Sequence, residues 1–372
     1  MKFATSSADL LAQLSVVSRV ASTRSAVQAL SGVQLTAVAD GAELRATDMD
    51  VGLRVPLKAT IDRPGTVVLP ARLMLDVARS LPGSEATLEL RPAEQDVEIL
   101  SGSATFHIRT LRAEDFPPLP EPGGDTVVSV PAAAFVETIN RVARSASRDE
   151  TRPILTGILV SASGSELRMV ATDSYRLSVK ETKLDAPLDG AFEATVPARA
   201  LQELARIVGG LDPKKITELS VSVHANQIVF EVGGDVLSSR LIDGQFPNYR
   251  QLLPDAFEHE LTLASAELTE VVRRISLMAQ KNAPLRLRFS EGELTISAQT
   301  PDVGEASQTL PVPFAGEPFE IGFNPEFLRD GLESSEGGDL ILKLISPLRP
   351  GLIESADGSG FLYLIMPIRL NV

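Results

Sequence analysis

The sequence predicts an α+β protein that is built from three tandem copies of one unit of about 125 residues. Pro70 lies in V-L-P-A-R-L-M, Pro197 in T-V-P-A-R-A-L and Asn324 in G-F-N-P-E-F-L, so related segments recur every 127 residues. The tripeptide A-T-D at 46–48 recurs at 171–173, on nearly the same register. Several landmarks with one period indicate internal duplication, and a tandem array builds extended surfaces more readily than one catalytic cleft.

The boundaries between the copies are predicted in two turn-rich segments. These are Gly123-Gly124-Asp125 and Pro254-Asp255-Ala256. The predicted domains are therefore residues 1–124, 125–254 and 255–372.

Each copy is predicted to open with an amphipathic helix. Leu10, Leu14, Val17 and Ala21 form an apolar stripe at helical spacing, and similar stripes begin the other two copies at Phe135 and Leu268. Such a stripe faces a core.

A second helix is predicted to begin at the P-A-R segments of the first two copies and at the weaker match N-P-E of the third, because proline fits the first turn of a helix. In the first copy its apolar stripe is predicted to be Leu73, Val77 and Leu81.

Alternating apolar and polar residues indicate antiparallel strands between and after the helices. In the first copy these are 32–38, 43–47 and 51–55, bounded by turn residues. We therefore expect two helices to cover one face of an antiparallel sheet in every copy.

Composition excludes several classes of function. The 372 residues include no cysteine and three histidines, which excludes disulfides and thiolate chemistry and argues against a histidine-rich metal site. We predict no metal and no cofactor. No apolar run approaches the roughly 20 residues that cross a bilayer, and no signal peptide is recognisable, so we expect a cytoplasmic protein.

Charge is divided unequally along the chain. The net charge is −14, which by itself argues against binding nucleic acid. Five of the six predicted helix windows nevertheless carry a net positive charge, and only the window 324–336 is negative. Basic helices in an acidic protein are consistent with one surface that meets a polyanion through its phosphates.

Two other functions fit these residues less well. An enzyme would use Asp48 and Asp173 as bases or metal ligands, but Thr-Asp is a common turn opener that caps its own backbone, and no nucleophile or carboxylate pair accompanies it. A repeat scaffold that binds proteins and never meets DNA would suit the acidity but not the basic helices.

Five segments of the chain resemble one protein family over its whole length, the β subunit of bacterial DNA polymerase III. They are M-K-F at the start, the P-A-R helices, A-T-D-S-Y-R-L-S-V at 171–179, F-P-N-Y-R at 246–250 and M-P-I-R-L at 366–370. The resemblance implies three clamp domains per chain and a head-to-tail homodimeric ring that encircles double-stranded DNA without sequence preference. It also implies a processivity factor of DNA replication, not an enzyme.

The resemblance implies a hydrophobic cleft between the second and third domains that takes short linear peptides. The partners it implies are the DNA polymerase III α subunit, the clamp loader δ subunit and other clamp-binding-motif proteins, including repair proteins, together with association with the 3′–5′ exonuclease complex. The cleft residues carried over are Leu155, Thr156, Thr172, Ser174, Tyr175, Arg176, Leu177, Pro247, Leu252, Leu364, Met366, Pro367, Ile368 and Arg369.

The resemblance also implies residues for DNA binding and for the dimer interface. The arginines expected to contact DNA are Arg24, Arg72, Arg152 and Arg199. The residues expected at the dimer interface are Leu277 and Met278 of the third domain and Phe106 and Ile108 of the first.

Overall fold

The computed structural model describes residues 1–22, 25–124, 126–279, 283–301, 303–335 and 338–370. The chain forms two compact units. The first consists of residues 1–132 and 206–241, and the second of residues 133–205 and 242–372.

The three copies share one order of elements: a strand, a helix, four or five strands, a second helix and three strands. In the first copy these are β1 (Lys2–Ser6), α1 (Ser7–Val17), β2 (Gly32–Val38), β3 (Gly41–Thr47), β4 (Val51–Leu57), β5 (Thr60–Arg63), β6 (Gly65–Pro70), α2 (Ala71–Ser80), β7 (Glu85–Arg91), β8 (Asp96–Ser101) and β9 (Ala104–Arg109). In the second they are β10 (Thr126–Pro131), α3 (Ala132–Val142), β11 (Gly157–Ser163), β12 (Glu166–Thr172), β13 (Arg176–Lys183), β14 (Phe192–Pro197), α4 (Ala198–Gly209), β15 (Glu218–Val223), β16 (Gln227–Val232) and β17 (Asp235–Arg240). In the third they are β18 (His259–Ala264), α5 (Ser265–Ile275), β19 (Leu285–Ser290), β20 (Glu293–Thr300), β21 (Gly304–Pro311), β22 (Phe319–Phe323), α6 (Pro325–Ser334), β23 (Asp339–Leu344), β24 (Gly351–Ser355) and β25 (Phe361–Ile365). The predicted threefold repeat and the α+β class are confirmed.

Two details of the predicted elements are wrong. Each copy opens with a strand and not with the helix, because a five-residue strand such as β1 buries only Phe3 and Thr5 and leaves little periodic signal. The buried face of α2 contains Met74 and Val77, whereas Leu73 is 47% exposed and Leu81 follows the end of the helix. The helix begins at Ala71, and counting from there places Met74 and Val77 on the inner face.

The first unit contains two antiparallel sheets. Five strands follow the order β5-β1-β7-β8-β9, and eight follow the order β10-β15-β16-β17-β4-β3-β2-β6. Helices α1 and α2 contact each other, and α1 packs against β3 and β4 through Leu10, Leu14 and Val17. The eight-stranded sheet joins four strands of copy one to four strands of copy two.

The second unit repeats this plan with the next pair of copies. Eight strands follow the order β14-β11-β12-β13-β25-β24-β23-β18, and four follow the order β21-β20-β19-β22. Helices α5 and α6 contact each other and bury Leu268, Val272, Leu328 and Leu332 in one core with these strands. Each compact unit therefore contains one of the eight-stranded sheets that two copies share. The domain boundaries at 124 and 254, which were placed from the sequence repeat, stay a prediction.

The two joins between copies have the same register. Gly52 of β4 pairs with Ser238 of β17, and Leu177 of β13 pairs with Leu364 of β25. Gly52 and Leu177 are equivalent positions, because each also pairs with the last threonine of the preceding strand, Thr47 or Thr172 respectively. The last strand of one copy thus meets the same strand of its neighbour in both cases.

Candidate functional site

The second join, between β13 and β25, forms the floor of a cavity of about 660 Å³. The residues that line it are Thr172, Ser174, Arg176, Leu177, Gln251, Leu252, Leu253, Pro254, Asp255, Ala256, Ile345, Leu348, Arg349, Pro350, Leu364 and Met366. We call this cavity the cleft.

Exposed apolar side chains are concentrated around the cleft. Leu252 is 50% exposed, Leu348 61% and Met366 42%, and Tyr175 follows the cleft residue Ser174 and is 59% exposed. A folded protein seldom leaves several large apolar side chains together in contact with water unless they meet a ligand. Leucine and methionine also adapt their shape to different occupants.

The cleft contains half of the residues expected there. Thr172, Ser174, Arg176, Leu177, Leu252, Leu364 and Met366 line it, whereas Leu155, Thr156, Tyr175, Pro247, Pro367, Ile368 and Arg369 do not. Leu155 is buried, and Ile368 forms a bridge with Gly322.

The wall formed by Ile345, Leu348, Arg349 and Pro350 was missed from the sequence. The signal that could have found it is the apolar Leu348 within S-P-L-R-P-G, a turn-rich segment in which a large apolar residue has no strand to pack in.

Arg176 lines the cleft, but its guanidinium is bonded inside the protein. Its Nε donates to Asp173 Oδ2 at 3.0 Å, its Nη1 to Asp330 Oδ2 at 2.6 Å and its Nη2 to the Arg144 carbonyl at 2.6 Å. The guanidinium also lies 4.3 Å from the centre of the Phe327 ring. Arg176 therefore positions the cleft floor against α6, because its donors are already engaged inside the protein.

The electrostatics of Arg176 follow from these contacts. Burial disfavours the charged form, but the contacts with Tyr363, Asp330 and Asp173 outweigh it and hold the pKa of the guanidinium above its ordinary value. For Tyr363, burial disfavours the phenolate and so raises the pKa of the hydroxyl, which donates to the Phe327 carbonyl at 2.7 Å. The Arg176 side chain is thus a fixed charge at all physiological pH values.

The Thr-Asp turns are structural, as predicted. Asp173 Oδ1 accepts hydrogen bonds from the backbone N–H groups of Tyr175 and Arg176 at 2.9 and 3.0 Å, and Asp48 Oδ1 accepts from Asp50 and Val51 at 3.1 and 2.9 Å. In both turns the residue after the aspartate has a positive φ, 82° at Met49 and 81° at Ser174. These side chains cap tight turns of the two joins.

A second cavity of the second unit, of about 620 Å³, is rich in arginine. Arg199 lines it together with Arg144, Arg148 and Arg329, and the acidic residues Glu150, Glu326 and Asp330 also contribute. Arg199 was expected from the sequence, whereas the other three arginines come from separate helices and turns that only folding brings together. Asp330 is already bonded to Arg176, and Arg144 pairs with Glu333.

The other expected DNA contacts lie elsewhere. Arg152 pairs with Asp149 at 3.0 Å and donates to Ser174 Oγ at 3.1 Å, which directs it toward the cleft. Arg72 is exposed on α2, and Arg24 lies outside the residues that the structure describes.

The residues expected at a dimer interface range from largely exposed to buried. Leu277, two residues after the end of α5, is 79% exposed, while Met278 packs partly against the core of the second unit. Phe106 is partly exposed on β9, the last strand of the five-stranded sheet. Ile108 lies on the same face of β9 as Phe106, because side chains two apart on a strand point the same way, and it is 3% exposed. Its place in the dimer interface stays a prediction.

Within the described part of the chain, no group of three or more His, Cys, Asp and Glu side chains is placed to hold a metal ion. Over the same residues, no helix has the length and apolar character that a membrane span requires.

Comparison with known proteins decides the family. Models of the N-terminal, central and C-terminal domains of the DNA polymerase III beta subunit match residues 1–120, 129–248 and 250–369. The chain belongs to the DNA polymerase III beta subunit family. Among its relatives, the beta sliding clamp of Synechocystis sp. is 33% identical with full coverage of both chains, and that of Streptomyces coelicolor is 31% identical over 92% of each.

Solved structures of beta subunits agree with this membership. The sliding clamp of Bacillus subtilis superposes with a TM-score of 0.91 at 27% identity, and the Pseudomonas aeruginosa clamp bound to griselimycin with 0.90 at 28%, each with full coverage of both chains. The three repeats found in the sequence are thus the three domains of a beta subunit.

Proposed function

We propose that this beta subunit works as a DNA sliding clamp: two copies close head to tail around duplex DNA and tether the replicative polymerase to it. The observation that carries the proposal is the way the copies join. Each join pairs the last strand of one copy, β17 or β25, with the equivalent strand of its neighbour, β4 or β13. The last strand of the first copy is β9, and the strand of the third copy that corresponds to β4 and β13 is β21. Each of these two strands lies at the end of a sheet.

The repeat also predicts how two subunits would meet. Transferring the register of the existing joins to β9 of one subunit and β21 of the other puts His107 opposite Gly304 and Phe106 opposite Glu305. The exposed Leu277 belongs to the short helical turn Ser276–Met278, which contacts β21, and this supports an apolar interface there. Two such contacts in one dimer close a ring, because a heterologous interface closes when its rotation divides a full turn.

The interface is tested by Leu277→Asp, with Val38→Asp as the control for an exposed apolar residue elsewhere. Analytical ultracentrifugation should give a dimer for the wild type and the control and a monomer for Leu277→Asp. A dimer that survives Leu277→Asp together with Phe106→Asp would contradict this interface.

The clamp function is tested by topology. Loaded by a clamp loader and ATP onto nicked circular DNA, the protein should stay on the circle and be lost when the circle is cut open. Equal retention on both forms would contradict a sliding ring, and absence of loading on either would favour a scaffold that does not encircle DNA.

We further propose that the arginine-rich cavity contributes phosphate contacts to DNA binding. Arg148 and Arg199 line it, and both side chains are exposed. Replacing both by alanine should flatten the slope of log affinity against log salt by about two units, since each lost phosphate contact removes about one. An unchanged slope would remove both residues from the DNA-contacting set, while Arg286→Ala serves as a control arginine away from the cavity.

The cleft is proposed to bind short peptides of the polymerase α subunit, the clamp loader δ subunit and other clamp-binding proteins. Its support is the cluster of exposed apolar residues and the family relative that binds griselimycin. Met366→Lys should weaken binding of a polymerase α-subunit peptide by about tenfold or more, because a charge would enter an apolar contact. Val38→Lys changes an apolar residue that is 51% exposed, against 42% for Met366, and it should bind as the wild type does. Unchanged affinity in Met366→Lys would refute the site.

A further inference from the structure

A third cavity of the second unit lies on the same two strands as the cleft. Val179 of β13 pairs with Leu362 of β25, two residues along from the cleft pair Leu177 and Leu364. Side chains two apart on a strand point to the same face. The second pair therefore continues the floor of the cleft, and it lines a cavity of about 490 Å³.

The two cavities are separated by one ridge of the chain. Residues 249–253 cross the sheet, with Tyr249 buried between them and Leu253 lining both cavities. Two residues of an extended strand span about 7 Å. A peptide that is extended in the cleft would therefore reach this cavity with two or three further residues.

The chemistry of this third cavity is apolar below and acidic at the rim. Val179 and Leu362 form the floor, and the carboxylates of Glu181 and Glu354 line the cavity. Both carboxylates retain solvent exposure, 46% and 30% of the side chain, although Arg168 and Lys343 contact them from the side.

One basic residue completes the lining. Arg250 is exposed, and its guanidinium lies 5.1 Å from the centre of the Tyr249 ring. The lining therefore contains two carboxylates and one guanidinium, which favours a ligand with an apolar side chain followed by a basic one.

We propose that this cavity is a second subsite for the partner peptide, and that it takes an apolar residue and an adjoining basic residue that flank the segment held in the cleft. The proposal rests on peptide binding at the cleft. Its support is the shared residue Leu253, the common strand pair and the acidic rim. Partners of one cleft would then differ in affinity through residues outside the segment that the cleft itself holds.

The test uses the full-length protein and three peptides based on the organism's own polymerase III α subunit. The short peptide covers only the cleft-binding segment. Each of the two long peptides adds four residues at each end, and Leu-Lys is placed at the amino-terminal end of one and at the carboxy-terminal end of the other. Isothermal titration should show that one long peptide binds about tenfold tighter than the short one, the gain expected for burying one aliphatic side chain.

Two variants assign the gain to the subsite. Leu362→Arg should abolish the gain and leave the short peptide's affinity unchanged, and Glu181→Gln with Glu354→Gln should reduce the gain several-fold. Glu320→Gln, a carboxylate elsewhere in the second unit, is the matched control. A gain that is unchanged in both variants would overturn the proposal.

Methyl NMR of the wild-type protein keeps the test independent of whether a variant folds. The Val179 and Leu362 methyl signals should shift with the long peptide and stay unshifted with the short one. A short peptide that binds while no extension adds affinity or shifts these methyls would overturn the subsite alone. A short peptide that fails to bind would overturn the cleft, and the subsite with it.

Discussion

The two joins between copies have the same strand pairing but differ in the size of the cavity that lies on them. Both pair their strands in the same register, yet the cavity at the first join measures about 110 Å³ and the cleft at the second about 660 Å³. The segment after the first copy, Pro117–Pro120, lies in the smaller cavity's wall. The duplicated backbone therefore offers a similar site at each join, and the side chains make the cavity at the second join several times larger than the one at the first.

Three equivalent positions carry different residues at the two joins. Gly52 replaces Leu177, and a Cβ atom there would lie 2.8 Å from Leu119 Cδ2, so the chain's own leucine covers the first join. Val51 replaces Arg176, so the first join lacks the equivalent guanidinium network. Asp235 replaces Phe361, which puts a buried carboxylate in the first join where the second has an aromatic ring.

The largest predicted effect concerns the ion network of the second join. Asp330→Ala leaves the buried Arg176 guanidinium without its shortest ion pair, and the free energy of unfolding should fall by about 3–5 kcal/mol. Arg176→Met with Asp330→Leu should recover most of this, since the first join has an apolar residue at the same position. Chemical denaturation measures both, and a loss below 1 kcal/mol for Asp330→Ala would show that Arg176 is satisfied without it.

A second prediction makes the first join resemble the other. Gly52→Leu should lower stability by about 2–3 kcal/mol, because the new side chain meets Leu119 and Ser238. Adding Leu119→Ala should relieve much of that cost. The double-mutant cycle gives the coupling energy, and strictly additive effects would mean that Leu119 does not fill the place of Leu177.

A third prediction uses the carboxylate of the first join. Burial raises the pKa of Asp235 to about 6, whereas an unfolded aspartate has a pKa of about 3.9. The folded state then binds more protons between these pH values, so stability falls as pH rises from about 4 to 6. Asp235→Asn should stabilise the protein at pH 7.5 by about 1–2 kcal/mol, allowing for partial hydration of the carboxylate.

Thermal unfolding at several pH values measures this effect. The gain from Asp235→Asn should vanish near pH 4, and Asp243→Asn, an exposed carboxylate, should show no gain at any pH. A gain that is independent of pH would argue against the shifted carboxylate.

The smallest effect on stability is expected at the cleft rim. Tyr175→Asp copies Asp50 of the first join, and because Tyr175 is 59% exposed, its replacement should change stability by less than about 0.5 kcal/mol. Peptide affinity should nevertheless fall several-fold, as titration can measure. Equal affinity would place Tyr175 outside the peptide's reach.

Most helices and strands could be predicted from the sequence, whereas only half of the residues predicted for the cleft line it. The helices and the 127-residue period follow from local pattern, and the Asp48 and Asp173 turns follow from local hydrogen-bonding chemistry. Leu348 and Arg349 could not be assigned to the cleft because they lie about 170 residues from Leu177 in the chain. Arg176 could be chosen as a cleft residue, but its donors could not be known to be engaged by Asp330 and the Arg144 carbonyl.

The sequence by itself determined the repeat, the class of each element and the family, because each is written in local periodicity and short motifs. Only the tertiary structure decided that strands of neighbouring copies share sheets, that the second join opens into a cleft and that the first is covered by Leu119. The physical reason is that a cavity depends on side chains that meet across long separations, and a single exchange such as Gly52 for Leu177 changes the volume while leaving the periodicity of the strand intact.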